Sequence, residues 1–341
     1  MAQINKSSEY FNTVLYTGNG STQSITGVGF QPDWIWLKGR SAISDHKIND
    51  VIRGTDAYLS SNNTAAEDTT GSGIQSYDSD GFSLSNASNI NDNSVTYASW
   101  NWLADNTSGS SNTDGSITST VSANTTSGFS IVSYTGNGTA NATVGHGLGV
   151  TPNVIWFKRR DSSNNWINYF SELGTDNYLT LNLTNASSSA GGAWCTPSSS
   201  TFQLNQVFSA TNTNTATYIA YCFAEKKGFS KFGSYTGNGN ADGTFVYTGF
   251  KPAFVMVKPT VTADNWVMFD NKRLGYNPDN NFSYANKDFA ENDADIIDLL
   301  SNGFKQRSSG GTSNRSGEPF IYMAFAESPL VGTNNIPATA R

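Results

Sequence analysis

Short apolar runs alternate with turn-forming residues along the whole chain, at a spacing of roughly ten residues. The runs are rich in Val, Ile, Tyr, Phe and Trp, whereas Gly, Asn, Asp and Ser separate them. β-Branched and aromatic residues favour strands, and the separating residues favour turns. The run Trp34–Leu37 is apolar at every position, as in a strand that is covered on both faces. The pattern predicts an all-β protein built of antiparallel sandwiches.

One segment has a different pattern. Residues 293–300 cluster four aliphatic side chains and are followed by Gly303, a residue that often ends a helix. This clustering predicts one or two helical turns before a strand that starts at Phe304.

The sequence repeats itself. The pentapeptide Tyr-Thr-Gly-Asn-Gly occurs three times, starting at Tyr16, Tyr134 and Tyr235. Each copy is followed by a proline, an apolar run and a lysine six residues after the proline: Pro32 and Lys38, Pro152 and Lys158, Pro252 and Lys258. A repeated unit of this length determines the architecture. The chain is therefore predicted to contain three tandem antiparallel β-sandwich repeats of about 100 residues, jelly-roll or lectin-like in type.

The repeats set the predicted domain bounds. The segment between the first two repeats is rich in Ser, Thr, Asn and Gly, but Ile117–Val121 alternates apolar and polar residues and is expected to form part of a strand on the second unit. The predicted segments are unit 1 (10–105), the connector (106–127), unit 2 (128–227), unit 3 (228–329) and a C-terminal tail (330–341).

The shared residues are interpreted as architectural. Asn-Gly supplies the two positive-φ positions of a tight hairpin turn. The pentapeptide also lacks the Lys-Ser/Thr ending of a phosphate-binding loop. The three lysines are expected to pack their stems and to reach solvent or a carboxylate at the sheet rim. The predicted structural positions are Tyr16, Gly18, Gly20, Tyr134, Gly136, Gly138, Tyr235, Gly237, Gly239, Pro32, Pro152 and Pro252.

Charge argues against some partners. Only 14% of the 341 residues are charged, and the formal net charge is −7. Binding to a phosphate backbone requires clustered Lys and Arg, so nucleic acid is not expected as a partner. The first residues carry neither a basic start nor an apolar run, so no signal peptide is expected. No stretch of about 18 apolar residues occurs, so membrane insertion is not expected either.

No catalytic, cofactor-binding or metal-binding residues are assigned. His46, His146, Cys195 and Cys222 lack the close spacing of zinc ligands. The two cysteines are expected to be reduced, and a disulfide between them is left open.

The carboxylates do not recur in register among the units. Asp78 and Asp80 are the pair to consider for a glycoside hydrolase, but Asp-Ser-Asp-Gly before a strand is also typical of an ordinary turn. A calcium ion in the loop Asp45–Asp50 is left open, although its spacing matches no EF-hand. The tryptophans are expected in the core, except that Trp194 in a loop could stack on a sugar.

Several segments resemble a domain of unknown function found in virion proteins of tailed bacteriophages, commonly tail-fibre or structural proteins. The similarity extends over nearly the whole chain and lies in these segments: 114–124, 143–149, 221–225, 228–237, 250–254 and 324–329.

The resemblance implies a non-enzymatic virion protein, made in the cytoplasm of the host bacterium, with other virion proteins as partners. The favoured role is a tail-fibre adhesin that recognises a host surface polysaccharide. The alternative is a capsid-decorating or tail-structural protein without receptor binding, and a polysaccharide depolymerase ranks third. A homotrimer is left open, because no heptad pattern supports one.

Overall fold

The structure is a computed structural model that describes residues 4–71, 73–273 and 281–331. Residues 332–341 of the predicted tail lie outside the described residues. Nearly every element is a strand, and all pairings between strands are antiparallel. The prediction of an all-β protein of antiparallel β-sandwich type is confirmed. The names units 1 to 3 are kept below for the predicted segments.

Unit 1 follows a 3₁₀ turn at Ser7–Glu9 and consists of two sheets. The strands are β1 (Phe11–Thr17), β2 (Gln23–Thr26), β3 (Trp34–Gly39), β4 (Lys47–Asp50), β5 (Ile74–Asp78), β6 (Gly81–Leu84) and β7 (Thr96–Trp102). The large sheet has the order β1-β7-β3-β4, and the small sheet has the order β2-β6-β5.

The connector and unit 2 form a wider pair of sheets, with a 3₁₀ turn at Ser171–Leu173. The strands are β8 (Ser110–Asn112), β9 (Ser119–Asn124), β10 (Phe129–Thr135), β11 (Ala142–Gly145), β12 (Val154–Arg159), β13 (Ile167–Phe170), β14 (Asn177–Thr180), β15 (Ser188–Ser189), β16 (Cys195–Pro197), β17 (Thr201–Leu204) and β18 (Thr217–Phe223). The large sheet has the order β15-β14-β13-β12-β18-β10-β9-β8, and the small sheet has the order β11-β17-β16.

Unit 3 repeats the segment β14-β13-β12-β18-β10 of the large sheet and the whole order of the small sheet. Its elements are β19 (Ser230–Thr236), β20 (Phe245–Tyr247), β21 (Phe250–Pro259), β22 (Val267–Asp270), β23 (Phe282–Tyr284), β24 (Ile297–Leu300), β25 (Gly303–Gln306), the short helix α1 (Gly311–Asn314) and β26 (Pro319–Pro329). The sheets have the orders β19-β26-β21-β22-β23 and β20-β25-β24.

The predicted helix over residues 293–300 is wrong. Ile297–Leu300 is strand β24, which pairs with β25. Ile297 and Leu299 are buried, whereas Ile296 and Leu300 are only partly buried. The four aliphatic side chains thus follow a two-residue period, and tertiary burial decides between strand and helix where a short run fits both.

The larger sheets are covered on both faces. On one face of β3, Ile35 and Leu37 pack against the small sheet of unit 1. On the other face, Trp34 and Trp36 enter a central core that all three units share. This shared core contains aromatic residues from each unit, among them Trp102, Trp156 and Phe325. All six residues of β3 are buried, as the apolar run predicts.

The same backbone hydrogen bonds join each pair of units, and we call these contacts the seams. In each seam an amide of one unit donates to a carbonyl of the next at 2.8–2.9 Å: Ser44 to Asp288, Asn164 to Thr64, and Asp264 to Thr184. The first bond joins unit 1 to unit 3, the second joins unit 2 to unit 1, and the third joins unit 3 to unit 2. The three units therefore close into a ring around the shared core.

Ring nitrogens of three buried side chains form hydrogen bonds across the same seams. His46 Nδ1 accepts from Trp36 Nε1 at 2.8 Å, so its Nε2 carries the proton and donates to a carbonyl in the next unit. Burial lowers the pKa of His46. The three bonds across the seams occupy equivalent positions: His46 to Tyr284, Trp166 to Ser60, and Trp266 to Thr180.

Candidate functional site

The three pentapeptides connect the two sheets of each unit, so the predicted hairpin turn is wrong. β1 pairs with β7, whereas β2 pairs with β6, and the Gly-Asn-Gly segment crosses from one sheet to the other. Only its last glycine has a positive φ, at 67° for Gly20, 66° for Gly138 and 66° for Gly239. These segments are corners of the sandwich, where the chain passes from one sheet to the other.

Close packing explains the first glycine of each corner. A Cβ on Gly18 would lie 2.2 Å from the carbonyl oxygen of Asp92, and the same clash arises at Gly136 and Gly237. The preceding tyrosines are held in a matching way. The Tyr134 hydroxyl donates to Thr211 O at 2.7 Å, and its ring stacks on Tyr218.

The repeated prolines and lysines lie at the two ends of buried strands. Pro32, Pro152 and Pro252 are buried, and Pro252 lies at an irregularity in the pairing of β21 with β26. The expectation for the lysines is wrong, because their ammonium groups reach neither solvent nor a carboxylate. Each donates across a seam to a backbone carbonyl at 3.0–3.3 Å: Lys38 to Asp288, Lys158 to Thr64, and Lys258 to Thr184. Burial lowers the pKa of each lysine to about 8.

Trp194 offers no face to a sugar in this structure, which corrects its assignment as a glycan contact. The side chain is 1% exposed, and its indole N–H donates to Asn177 O at 3.1 Å. Its ring stacks on Phe208 and contacts Phe157 edge-on. The Trp194 side chain can be buried in the apolar core of unit 2 because its indole N–H has a hydrogen-bond acceptor there. The other seven tryptophans are also buried, as expected.

The cysteines and histidines do not form a metal site. Cys195 and Cys222 are free, buried thiols whose pKa is raised by burial. His146 Nδ1 accepts from the Leu148 amide at 3.2 Å, within its own loop. No cluster of three or more His, Cys, Asp or Glu that could hold a metal occurs within residues 4–71, 73–273 and 281–331.

The carboxylates of the candidate acidic residues form hydrogen bonds or ion pairs with other residues of the chain. Asp78 accepts from Ser76 and Ser83, each at 2.7 Å. Asp80 accepts from the amides of Gly27 and Gly29, in the loop that follows β2. The carboxylate of Asp50, at the end of the loop considered for calcium, forms a buried ion pair with an arginine.

A polar cleft of about 500 Å³ lies in unit 1. Its three carboxylates are also engaged, since Asp45 accepts from Asn62, Asp68 accepts from Tyr58, and Glu67 pairs with Arg160. The cleft therefore presents satisfied groups rather than a set aimed at a ligand.

The most distinctive surface lies on one edge of unit 3. Phe245 and Tyr247 are 44% and 52% exposed, while Val246 between them is buried. All three belong to β20, which is the edge strand of the small sheet. Alternate residues of a strand point to the same side, so both aromatic side chains project outward. Exposed aromatic residues that lie together mark interaction surfaces.

Charged side chains flank these two aromatic residues. Lys305 lies opposite Phe245 on β25, and its ammonium group pairs with Asp242 at 2.6 Å. Lys231 extends from β19, the edge strand of the large sheet, and its ammonium group lies 5.7 Å from the centre of the Tyr247 ring. We call Lys231, Phe245, Tyr247 and Lys305 the aromatic edge.

Units 1 and 2 carry no such group at the equivalent positions. The pairings Ile25–Phe82, Val144–Phe202 and Val246–Phe304 align the three edge strands. The residues that replace Phe245 and Tyr247 are Ser24 and Thr26 in unit 1, and Thr143 and Gly145 in unit 2.

The connector also covers this edge in unit 2. The amide of Ile117 donates to Thr143 O at 2.9 Å, and Asn112 packs beside Gly145. Within the described residues, an edge strand that carries two exposed aromatic side chains is therefore found in unit 3.

The local sequence pattern does not indicate the aromatic edge. Phe245 and Tyr247 alternate with Val246, and such a run resembles any strand with one buried face. Comparison of the three repeats position by position carries the missing signal, since Phe245 replaces serine and threonine in the other units. The contribution of Lys231 depends on the contact between two sheets and has no signal in the sequence.

None of the helices in the described part of the chain is long and apolar enough to cross a membrane. One family matches residues 6–329, and its description is "Domain of unknown function (DUF7483)". No curated protein and no solved structure matches the chain.

Proposed function

The chain belongs to the DUF7483 family, a domain of unknown function, and we propose that it is a non-enzymatic adhesin that binds a surface glycan of a bacterial host. The aromatic edge carries this proposal. Phe245 and Tyr247 are exposed on one side of one strand, and Lys305 and Lys231 flank them. Aromatic side chains combine a large apolar face with little conformational freedom, which suits them to hold the C–H face of a sugar.

The location of the protein on a tailed-phage virion is part of this proposal and rests on the resemblance of its sequence segments. In that setting the protein is a tail-fibre or receptor-binding component, with other virion proteins as partners. The shared core and the buried seams support a rigid body, on which an exposed edge keeps its geometry. A rigid scaffold lowers the entropic cost of binding.

One observation favours a second candidate function. The three units close into a ring around one core, and such a body fits a local threefold axis of a capsid. A capsid-decorating protein would use this symmetry without binding a glycan.

Replacement of the two aromatic side chains tests the adhesin. We expect the double variant Phe245→Ala/Tyr247→Ala to bind immobilised host polysaccharide at least about tenfold more weakly than the wild type, a loss of ~1.4 kcal/mol or more. The matched control is Ser24→Ala/Thr26→Ala, which changes the equivalent positions of unit 1 and leaves binding unchanged. Equal binding by the wild type and the double variant contradicts the proposal. Absence of binding, with tagged protein covering the head of the particle, favours capsid decoration.

A further inference from the structure

We propose, resting on the adhesin function, that the aromatic edge recognises an acidic sugar, with the sugar ring on Tyr247 and its carboxylate on Lys231. Two features of the edge support this assignment: the state of its three cations and the position of Lys231 in the repeat.

Two of the three cations near the edge already have carboxylate partners. Lys305 pairs with Asp242 at 2.6 Å, and Arg307 pairs with Asp298. Lys231 forms no ion pair within the described part of the chain, and its ammonium group lies 5.7 Å from the centre of the Tyr247 ring. Among the described residues, Lys231 is thus the cation of this edge without a carboxylate partner, and its ammonium group lies over the ring of the half-exposed Tyr247.

The position of Lys231 carries a different residue in each of the other two units. Register places Asn12 of unit 1 and Ser130 of unit 2 at the equivalent position. Asn12 donates to Val28 O at 3.0 Å and so joins β1 to the loop that follows β2. Ser130 is buried, and its strand β10 pairs with β9 of the connector, so this position is not at a sheet edge in unit 2. Only in unit 3 does this position carry a charge directed toward exposed aromatic side chains.

A carboxylate is the anion that this geometry favours. A uronic acid combines a pyranose ring, whose C–H face stacks on an aromatic side chain, with a carboxylate at the rim of that ring. An ammonium–carboxylate hydrogen bond is charge-assisted and is stronger than one between neutral groups. The net charge of −7 repels anions in general, so binding of an acidic glycan depends on this local cation.

The experiment compares acidic polysaccharides with their neutral counterparts. The probes are polygalacturonate, polymannuronate and hyaluronate, each with a carboxyl-reduced form, and binding to the purified full chain is measured by biolayer interferometry. We expect at least one acidic polymer to bind at least tenfold more tightly than its reduced form. We also expect this preference to fall as salt concentration rises.

Variants of Lys231 then test whether this residue causes the preference for the acidic polymer. Lys231→Gln is expected to bind the acidic and the reduced polymer equally, whereas Lys231→Arg retains the preference. The exposed Lys227→Gln is the matched control and leaves the preference unchanged. Thermal unfolding of each variant confirms that the fold is intact.

The outcomes separate this inference from the adhesin function. If acidic and reduced polymers bind equally, and only Tyr247→Ala weakens them, the acidic-sugar inference is overturned and the adhesin function stands. If Tyr247→Ala has no effect either, both fail. Binding of none of the acidic polymers also overturns the inference.

Discussion

Three asparagines hold the corners of the sandwiches, and each is fully buried. Asn91, Asn212 and Asn314 each accept a hydrogen bond at 3.0 Å from the amide of the asparagine in the repeated pentapeptide. The side-chain amide of Asn212 also donates to Thr139 O at 2.8 Å. One side chain thus forms hydrogen bonds with a backbone N–H and a backbone carbonyl of the corner, where the chain pairs with no neighbouring strand. The sequence carries a signal for them, because each lies six residues before the aromatic residue of the last strand.

Removal of one of these asparagines should destabilise the protein. We expect Asn212→Ala to lower the free energy of unfolding by about 1–3 kcal/mol, since it leaves a buried backbone donor and acceptor unpaired. Urea denaturation of the two proteins measures the difference. Asn214→Ala changes an exposed neighbour in the same loop and serves as the control, with an effect within about 0.5 kcal/mol. Equal stability of both variants would show that the corner does not depend on Asn212.

The connector is an element of unit 2 rather than a linker. Strand β9 pairs with β10 along six residues, and β8 pairs with β9. Ile117 lies between the sheets of unit 2, where it is 6% exposed and forms a parallel bridge with Val144. Among the described residues of unit 3, β19 and β20 are edge strands that no further strand covers.

Truncation of Ile117 tests the contribution of this element. Ile117→Ala should reduce the free energy of unfolding by about 2 kcal/mol or more, because it removes buried methylenes and leaves a cavity between the sheets. Hydrogen exchange should be faster in strands β9 and β11. Ile43→Ala is the control, because Ile43 is 74% exposed and packs in no core. A loss as small as that of the control would contradict the assigned role.

At the scale of the whole molecule, the cores within the units differ from the shared core in what they hold together. Each unit has its own core between its sheets, and the shared core joins the three units. The backbone hydrogen bonds of the seams recur in all three places, whereas the buried residues at the end of the neighbouring strand differ between the units. An ion pair of Asp50 with Arg53 is buried in unit 1, and Asp270 pairs with Arg273 in unit 3, whereas Phe170 takes the equivalent place in unit 2.

The buried lysines of the seams predict a pH dependence of stability. Folding lowers the pKa of Lys158 from 10.5 to about 8, so the folded protein binds fewer protons than the unfolded chain between these values. Stability therefore rises with pH in this window, by at most ~1.4 kcal/mol per pH unit for each such lysine. Above about pH 10 the buried tyrosines oppose the rise, because burial raises the pKa of Tyr134 and only the unfolded chain ionises there.

Denaturation in urea between pH 7.5 and 9.5 measures this effect. The wild type should become more stable across that range, and Lys158→Met should show a smaller rise. Lys227→Met changes an exposed lysine and should keep the slope of the wild type. An unchanged slope in Lys158→Met would mean that this ammonium group does not lose its proton on folding.

The sequence by itself determined the all-β class, the antiparallel sandwich type and the burial of the tryptophans other than Trp194, because residue type and two-residue alternation are local properties. Tertiary structure alone decided which partner covers each face. Trp34–Leu37 predicts a strand covered twice, but only the folded chain shows that one cover is the shared core. It also decided that Lys38, Lys158 and Lys258 cross the seams and that Lys231 meets Tyr247. Such contacts join residues far apart in the chain, and local pattern carries no information about them.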